Sequence, residues 1–187
     1  MSKLSIVTLI ACAVSIPSAM AIGNIGHHPN NNGTVNFSGH VYSNSCTISN
    51  GDDKKQVNLS PVLNTRVDDK VGAQFQQFNI QVKNCYVHEK LVPKLVWGKT
   101  NSLPGSGYLE NKDKNGAKNV ALVIRDRNDR HINLNNGYGF EPEKNNILHN
   151  NPTLTYKFSV GYIKKFSFHD VTSGPVTSQA NYSITYL

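Results

Sequence analysis

Apolar side chains recur at every second position over much of this chain. TVNFSGHVY, residues 34–42, places Val35, Phe37 and Val41 on one side and polar residues between them. QFNIQVKNC does the same with Phe78, Ile80 and Val82 and ends on Cys85. TLTYKFSVGYI aligns Leu154, Tyr156, Phe158, Val160 and Tyr162, and HINLN alternates Ile132 with Leu134. KLVPKLVW and NVALVIRD are short apolar runs with β-branched content. Side chains alternate between the two faces of a strand, so this period of two predicts half-buried β-strands. The last stretch, GPVTSQANYSITYL, is the longest such pattern. Val176, Ser178, Ala180, Tyr182, Ile184 and Tyr186 share one face, and Thr177, Gln179, Asn181, Ser183 and Thr185 share the other. From Pro175 to Leu187 it would extend ~40 Å at strand rise, well beyond the usual strand length.

Between these runs lie SNGDD (49–53), LPGSG (103–107), NKDKNG (111–116), NNGYG (135–139), NNILHNNP (145–152) and TSGP (172–175). Clusters of Asn, Gly, Asp and Pro punctuate strands, because Gly and Asn accept positive φ and Pro presets a turn. No capped helix is legible beyond a single turn near 61–73. Short strands separated by turns predict an all-β sandwich or barrel. Neither an internal repeat nor a composition break marks a second folded domain.

The first 21 residues belong to a different category. Lys3 supplies a positive start, Leu4–Ile16 is apolar but too short to span a bilayer, and Ala19-Met20-Ala21 is an A-x-A cleavage signal. These predict a secretory signal peptide cleaved after Ala21. No later segment approaches a membrane-spanning length, so no membrane span is expected. Cleavage of the 187-residue chain would leave 166 residues, enough for one domain. Losing Lys3 lowers the formal net charge from +7 to +6. The basic residues are scattered (KK at 54–55, RDRNDR at 125–130, KK at 164–165) and mixed with acidic ones, as on solvated strand faces and loops. No nucleic-acid partner is expected.

Removing the signal peptide also removes Cys12 and leaves Cys46 and Cys85. In an oxidising compartment an even pair predicts one disulfide. A zinc site would need more ligands at defined spacing. Such a bridge would restrict the unfolded chain by roughly 4 kcal/mol in the loop-entropy account.

Catalytic patterns are absent from the sequence. His27-His28 alternate faces in an extended chain and lack a third ligand, so no metal is expected. His169-Asp170 has no serine in a nucleophile context, and PGSGY at 104–108 is a turn. Asp126 and Asp129 in RDRNDR read as a charged turn rather than an acid–base pair. No glycine loop precedes a helix to cradle phosphate, and no cofactor is expected. Tyr108, Tyr138 and Phe140 in glycine-rich loops are candidates for a sugar-stacking surface, weighed against ordinary loop packing. The chain is not expected to be an enzyme.

Four segments in order resemble the pilin subunits of chaperone–usher fimbriae of the type 1 and P-pilus kind. GTVNFSGHVYSNSCTI (33–48) is similar to that family's G-x-V-x-F-x-G-x-V…C-x-I opening. FNIQVKNC (78–85) is similar to the segment around its second cysteine, and NVALVIRDRNDRHINL (119–134) to its central strand pair. The end matches as well: a glycine 14 residues from the terminus, Gly174, alternating apolar residues, and penultimate Tyr186. An antibody-like domain would place a Trp between its cysteines, whereas Trp97 follows both.

The resemblance implies an incomplete immunoglobulin-like sandwich of six strands that lacks its seventh. Residues 33–187 would form the pilin domain, and residues 22–32 an N-terminal donor-strand extension. The core-facing residues of the terminal strand would line an open groove. In this family a periplasmic chaperone first lends the missing strand, an outer-membrane usher assembles the fibre, and the extension of a neighbouring pilin subunit then replaces the chaperone. Nothing after Leu187 offers a pairing strand, so the expected partner is another chain. The subunit is expected to be exported through the periplasm into a fimbrium on the bacterial cell surface that supports adhesion, with a host receptor as a further partner. The extension IGNIGHHPNNN has only Ile22 and Ile25 as clear apolar residues, three apart and so on opposite faces, and Pro29 lacks a ladder N–H. That departure from richer donor strands leaves a minor tip, adaptor or terminating subunit, or a single-domain receptor-binding adhesin, as the alternative.

Overall fold

The computed structural model describes residues 34–39, 41, 46–88, 91–143 and 152–186. The expected signal peptide, Ile22, Ile25 and the His27-His28 pair lie outside the described residues. The chain separates into two units, residues 1–40 and 41–187. In the first unit, residues 34–39 form no strand, and Val35 and Phe37 are exposed.

The second unit is a sandwich of antiparallel strands. Its strands are β1 (Thr47–Ile48), β2 (Ala73–Lys83), β3 (Pro93–Trp97), β4 (Leu109–Glu110), β5 (Val120–Arg125), β6 (Gly139–Phe140), β7 (Leu154–Lys164) and β8 (Tyr182–Tyr186). One sheet has the order β1-β2-β7-β5-β4 and the other β6-β3-β8. The expected helical turn is a 3-10 turn at Asn64–Arg66. Among the described residues there are eight strands, of which β2, β3, β5, β7 and β8 span five residues or more and β1, β4 and β6 only two. The alternation predicted an all-β sandwich or barrel, and the sandwich has the incomplete immunoglobulin-like form that the resemblance implied.

Register explains the core. Phe78 pairs with Phe158, Ile80 with Tyr156 and Val82 with Leu154 between β2 and β7, so one apolar ridge forms across the sheet. From the facing sheet, Leu95 and Trp97 of β3 are buried against it. The Trp97 ring meets Phe158 edge-on at 5.1 Å and Tyr182 at 5.9 Å. Tyr156, buried, donates its hydroxyl to the Pro93 carbonyl at 2.8 Å, so its polar atom is satisfied within the core. Pro93 opens β3, a position that needs no ladder N–H. Continuous apolarity in β5 has its own cause. Leu122 and Ile124 face the core, while Ala121 and Val123 are buried on the outer face under Phe75, Leu103 and Tyr108.

Three sequence expectations need correction. TVNFSGHVY is not a strand among the described residues; a strand needs a ladder partner, and none pairs with it. Ile132 and Leu134 are buried, but HINLN makes one bridge, Arg125 to His131, and then turns. There the Asn133 side chain donates to the Gly105 carbonyl at 2.6 Å and accepts from the Asn135 N–H at 3.0 Å, in place of further ladder bonds. The terminal strand is shorter than its pattern. Its ladder to β3 covers Tyr182–Tyr186, because β3 ends at Trp97. Upstream, Pro175 and Thr177 bond instead to Asn111, Lys112 and Ala117 in the loop between β4 and β5.

Candidate functional site

The structure joins Cys46 to Cys85 in a disulfide. The bridge links the residue before β1 to the turn after β2, within one sheet and away from the central Trp97.

An open groove runs between the two sheets beside the chain's last segment. Its first part is a cleft of about 420 Å³ with Ile48, Val57, Leu109, Ile124, Ser178 and Tyr182 in its walls. Its second part, about 390 Å³, has Val62, Val67, Val120, Val171 and Val176 in its walls, and Leu59 lines both. Val176, Ser178, Ala180, Tyr182, Ile184 and Tyr186 are all half-buried. Val176 borders the second cleft and Ser178, Ala180 and Tyr182 the first. Ile184 and Tyr186 stand opposite Leu95 and Pro93 of β3. Thr177, Gln179, Asn181 and Ser183 are exposed, and Thr185 is half-buried. Among the described residues β8 is the outermost strand of its sheet, next to β3.

Polar atoms of the groove are anchored. The Tyr182 hydroxyl donates to the Asp52 carbonyl at 2.8 Å, and Tyr186 to the Tyr86 carbonyl at 2.7 Å. The buried Asp52 carboxylate accepts from Lys55 Nζ at 2.6 Å and the Gln81 N–H at 2.7 Å. Burial, then the Asp52 and Asp53 charges, push the Tyr182 hydroxyl up to about 12. Gly174 has φ +147, and a Cβ there would meet the Ala117 nitrogen at 2.6 Å, so the close approach of these two loops needs this glycine.

The wall opposite the terminal segment escaped the sequence reading, although Val57 and Leu59 in QVNLS carry the same period of two. The other singled-out residues do not converge. Asp126 accepts from the Asn128 N–H at 2.9 Å, the Arg130 N–H at 3.0 Å and the Arg130 guanidinium, closing the turn after β5, and Asp129 lies in that turn. Burial opposes ionisation of Asp126, but the bonds from Arg130 and Asn128 outweigh it and hold the carboxyl below its usual range. The His169 ring packs on Phe166. Tyr108 packs on His131 over the five-stranded sheet, whereas Tyr138 and Phe140 border a cleft of about 500 Å³ with Lys94 and Lys157. Burial, then the neighbouring Arg125 charge, lowers the His131 pKa. Among the described residues no group of His, Cys, Asp and Glu is placed to hold a metal, and no helix is long and apolar enough to cross a membrane.

Residues 35–187 match the model of the fimbrial protein family. The chain belongs to that family. It is 26% identical over 183 residues to a type-1 fimbrial protein A chain of Escherichia coli, with 95% of each chain covered. Against the K12 strain's type-1 fimbrial protein A chain it is 27% identical over 191 residues, covering 98% of this chain and 97% of the relative. A chain from a chaperone–usher pilus structure concerned with rod uncoiling superposes with a TM-score of 0.58 at 18% identity, covering 85% of this chain and 98% of that one. The P pilus rod subunit PapA also gives 0.58, at 16% identity, with 76% and 99% covered. These two likenesses carry the fold. This fimbrial protein is therefore a structural pilus subunit rather than an enzyme, exported and placed with other pilin subunits in a surface fimbria.

Proposed function

We propose that this fimbrial subunit polymerises by accepting a neighbour's extended segment in the groove beside β8 and lending its own to the next. The observation that carries this reading is the pair of clefts, joined at Leu59, in which apolar residues of both sheets and the alternate residues of the terminal segment line an open groove rimmed by Asp52 to Lys55. An inserted strand would satisfy backbone groups at ~1 kcal/mol net each and bury apolar surface at ~25 cal/mol per Å². Those contributions favour a tight, slowly dissociating joint. Before assembly a periplasmic chaperone would fill the same groove, protecting an outer strand that otherwise invites aggregation, and an outer-membrane usher would receive the complex. The fibre would then hold bacteria to surfaces or host cells.

The lent strand includes residues 33–41, downstream of the extension considered from sequence. Val35, Phe37 and Val41 are exposed and fall on one face of an extended chain, with Gly39 at the position between. Ile22 and Ile25 do not share a face. The test compares two variants of the exported chain. Deleting residues 24–32, beyond the cleavage site, should leave assembly into detergent-resistant ladders intact, whereas Phe37→Asp should abolish it while chaperone binding persists. Normal ladders from Phe37→Asp would refute the assignment.

A further inference from the structure

We propose that the end of the sandwich carrying Val71, Phe166 and Phe168 docks against the disulfide end of the neighbouring copy of this chain that lends it a strand in the fibre. The proposal rests on the donor-strand reading above.

The two ends of the domain differ. At one end Cys46 bonds to Cys85, and Tyr186 reaches the Tyr86 carbonyl. At the other, Val120 pairs with Lys164, and Val67, Tyr162 and Val171 line the last part of the groove. At this second end two loops adjoin, 63–72 and 165–172. They are cross-tied by the Lys164 N–H donating to the Asp68 carbonyl at 3.0 Å and by a Ser167 hydroxyl bond to Asp69. Asn119 accepts from the Phe166 N–H at 2.9 Å and donates to the Phe166 and His169 carbonyls. Arg125 donates to the Val71 carbonyl. On these tied loops Phe168 is 98% exposed, Phe166 62% and Val71 64%. Apolar side chains held out on an already ordered backbone cost little backbone entropy on contact and suit a protein interface.

Chain length identifies the occupant. An antiparallel sandwich is completed by a strand running opposite to β8, so the donor's C-terminal end leaves the groove beside Gly174 and Val176. From Val41 of that donor to its own Cys46 is five residues, at most ~18 Å of extended chain. The donor copy's disulfide end is therefore held beside the Phe168 end. A tether this short makes even a modest apolar contact effectively intramolecular. The interface is heterologous, one end on the opposite end, and so repeats along an open fibre.

Hydroxyl-radical footprinting of the full chain tests this, comparing assembled fibres with monomer complemented by a synthetic peptide of residues 33–41. Oxidation of Phe166 and Phe168 should fall several-fold in fibres relative to the complemented monomer. Equal oxidation in the two forms would overturn the contact and leave the donor-strand reading standing. A peptide that fails to protect Tyr182 would sink the donor assignment, and this contact with it. Fibres of Phe168→Asp should still form detergent-resistant ladders but bend more sharply in electron micrographs; stiffness equal to wild type would also count against the contact.

Discussion

The Tyr182 hydroxyl donates 2.8 Å to the Asp52 backbone carbonyl, tying the outermost strand of one sheet to the loop that follows the first strand of the other. The bond crosses the wall of the groove where the two sheets part. Tyr182→Phe removes the donor, keeps the ring on Trp97 and leaves a carbonyl unsatisfied. A loss of about 1 kcal/mol is expected in urea unfolding of the peptide-complemented subunit. An unchanged midpoint would show that the bond does not hold the sheets together.

The same tyrosine carries a pH signature. Its pKa is raised in the folded protein to about 12, above the ordinary value of 10.0. A raised folded value means that the unfolded chain loses its proton first. The stability contribution is therefore complete below pH 10 and is lost as pH rises toward 12. Alkaline unfolding curves of wild type should fall more steeply across that window than those of Tyr182→Phe.

Asp126 supplies the acid-side counterpart. Its folded pKa is lowered, so the stability it contributes is present above the unfolded value near 4 and fades as pH falls through the folded one. Asp126→Asn should be less stable than wild type at pH 7, with the gap narrowing on acidification. Thermal denaturation at pH 7 and pH 3 measures it; a gap constant with pH would assign the loss to geometry alone.

Replacing Cys46 and Cys85 together by Ser removes a closure over 39 residues of sequence separation. The expected cost is roughly 4 kcal/mol, a large share of a single domain's stability. Denaturant midpoints of the double variant and of reduced wild type should agree and lie well below the oxidised protein.

Gly174→Ala tests the close approach of the two loops. The new Cβ would lie 2.6 Å from the Ala117 nitrogen, on a backbone at φ +147 that other residues rarely adopt. Reduced yield of chaperone-bound subunit is expected, with the few folded molecules losing the Ala117 to Pro175 bond as read by amide exchange. Wild-type yield and protection would contradict the strain argument.

Much of this architecture was legible in one dimension. Period-two alternation named the β2 and β7 faces, because successive side chains on a strand must point oppositely. Turn clusters placed the breaks, and an exported chain with two remaining cysteines pointed to their bridge. The alternation of Val176 to Tyr186 marked a two-faced segment because one side meets the core and the other does not.

Alternation does not say whether a partner strand exists. Val35, Phe37 and Val41 have the same signature as Phe78, Ile80 and Val82, yet only the second set sits in a ladder, since pairing depends on which backbone lies alongside. Nor does a local pattern reveal that Val57 and Leu59 stand across a groove from Ser178, that Gly174 touches Ala117, or that Phe168 projects from a loop fastened by Asn119. Those relationships join residues tens of positions apart, and the folded chain alone decides them because they follow from sheet register and loop closure rather than from neighbouring side chains.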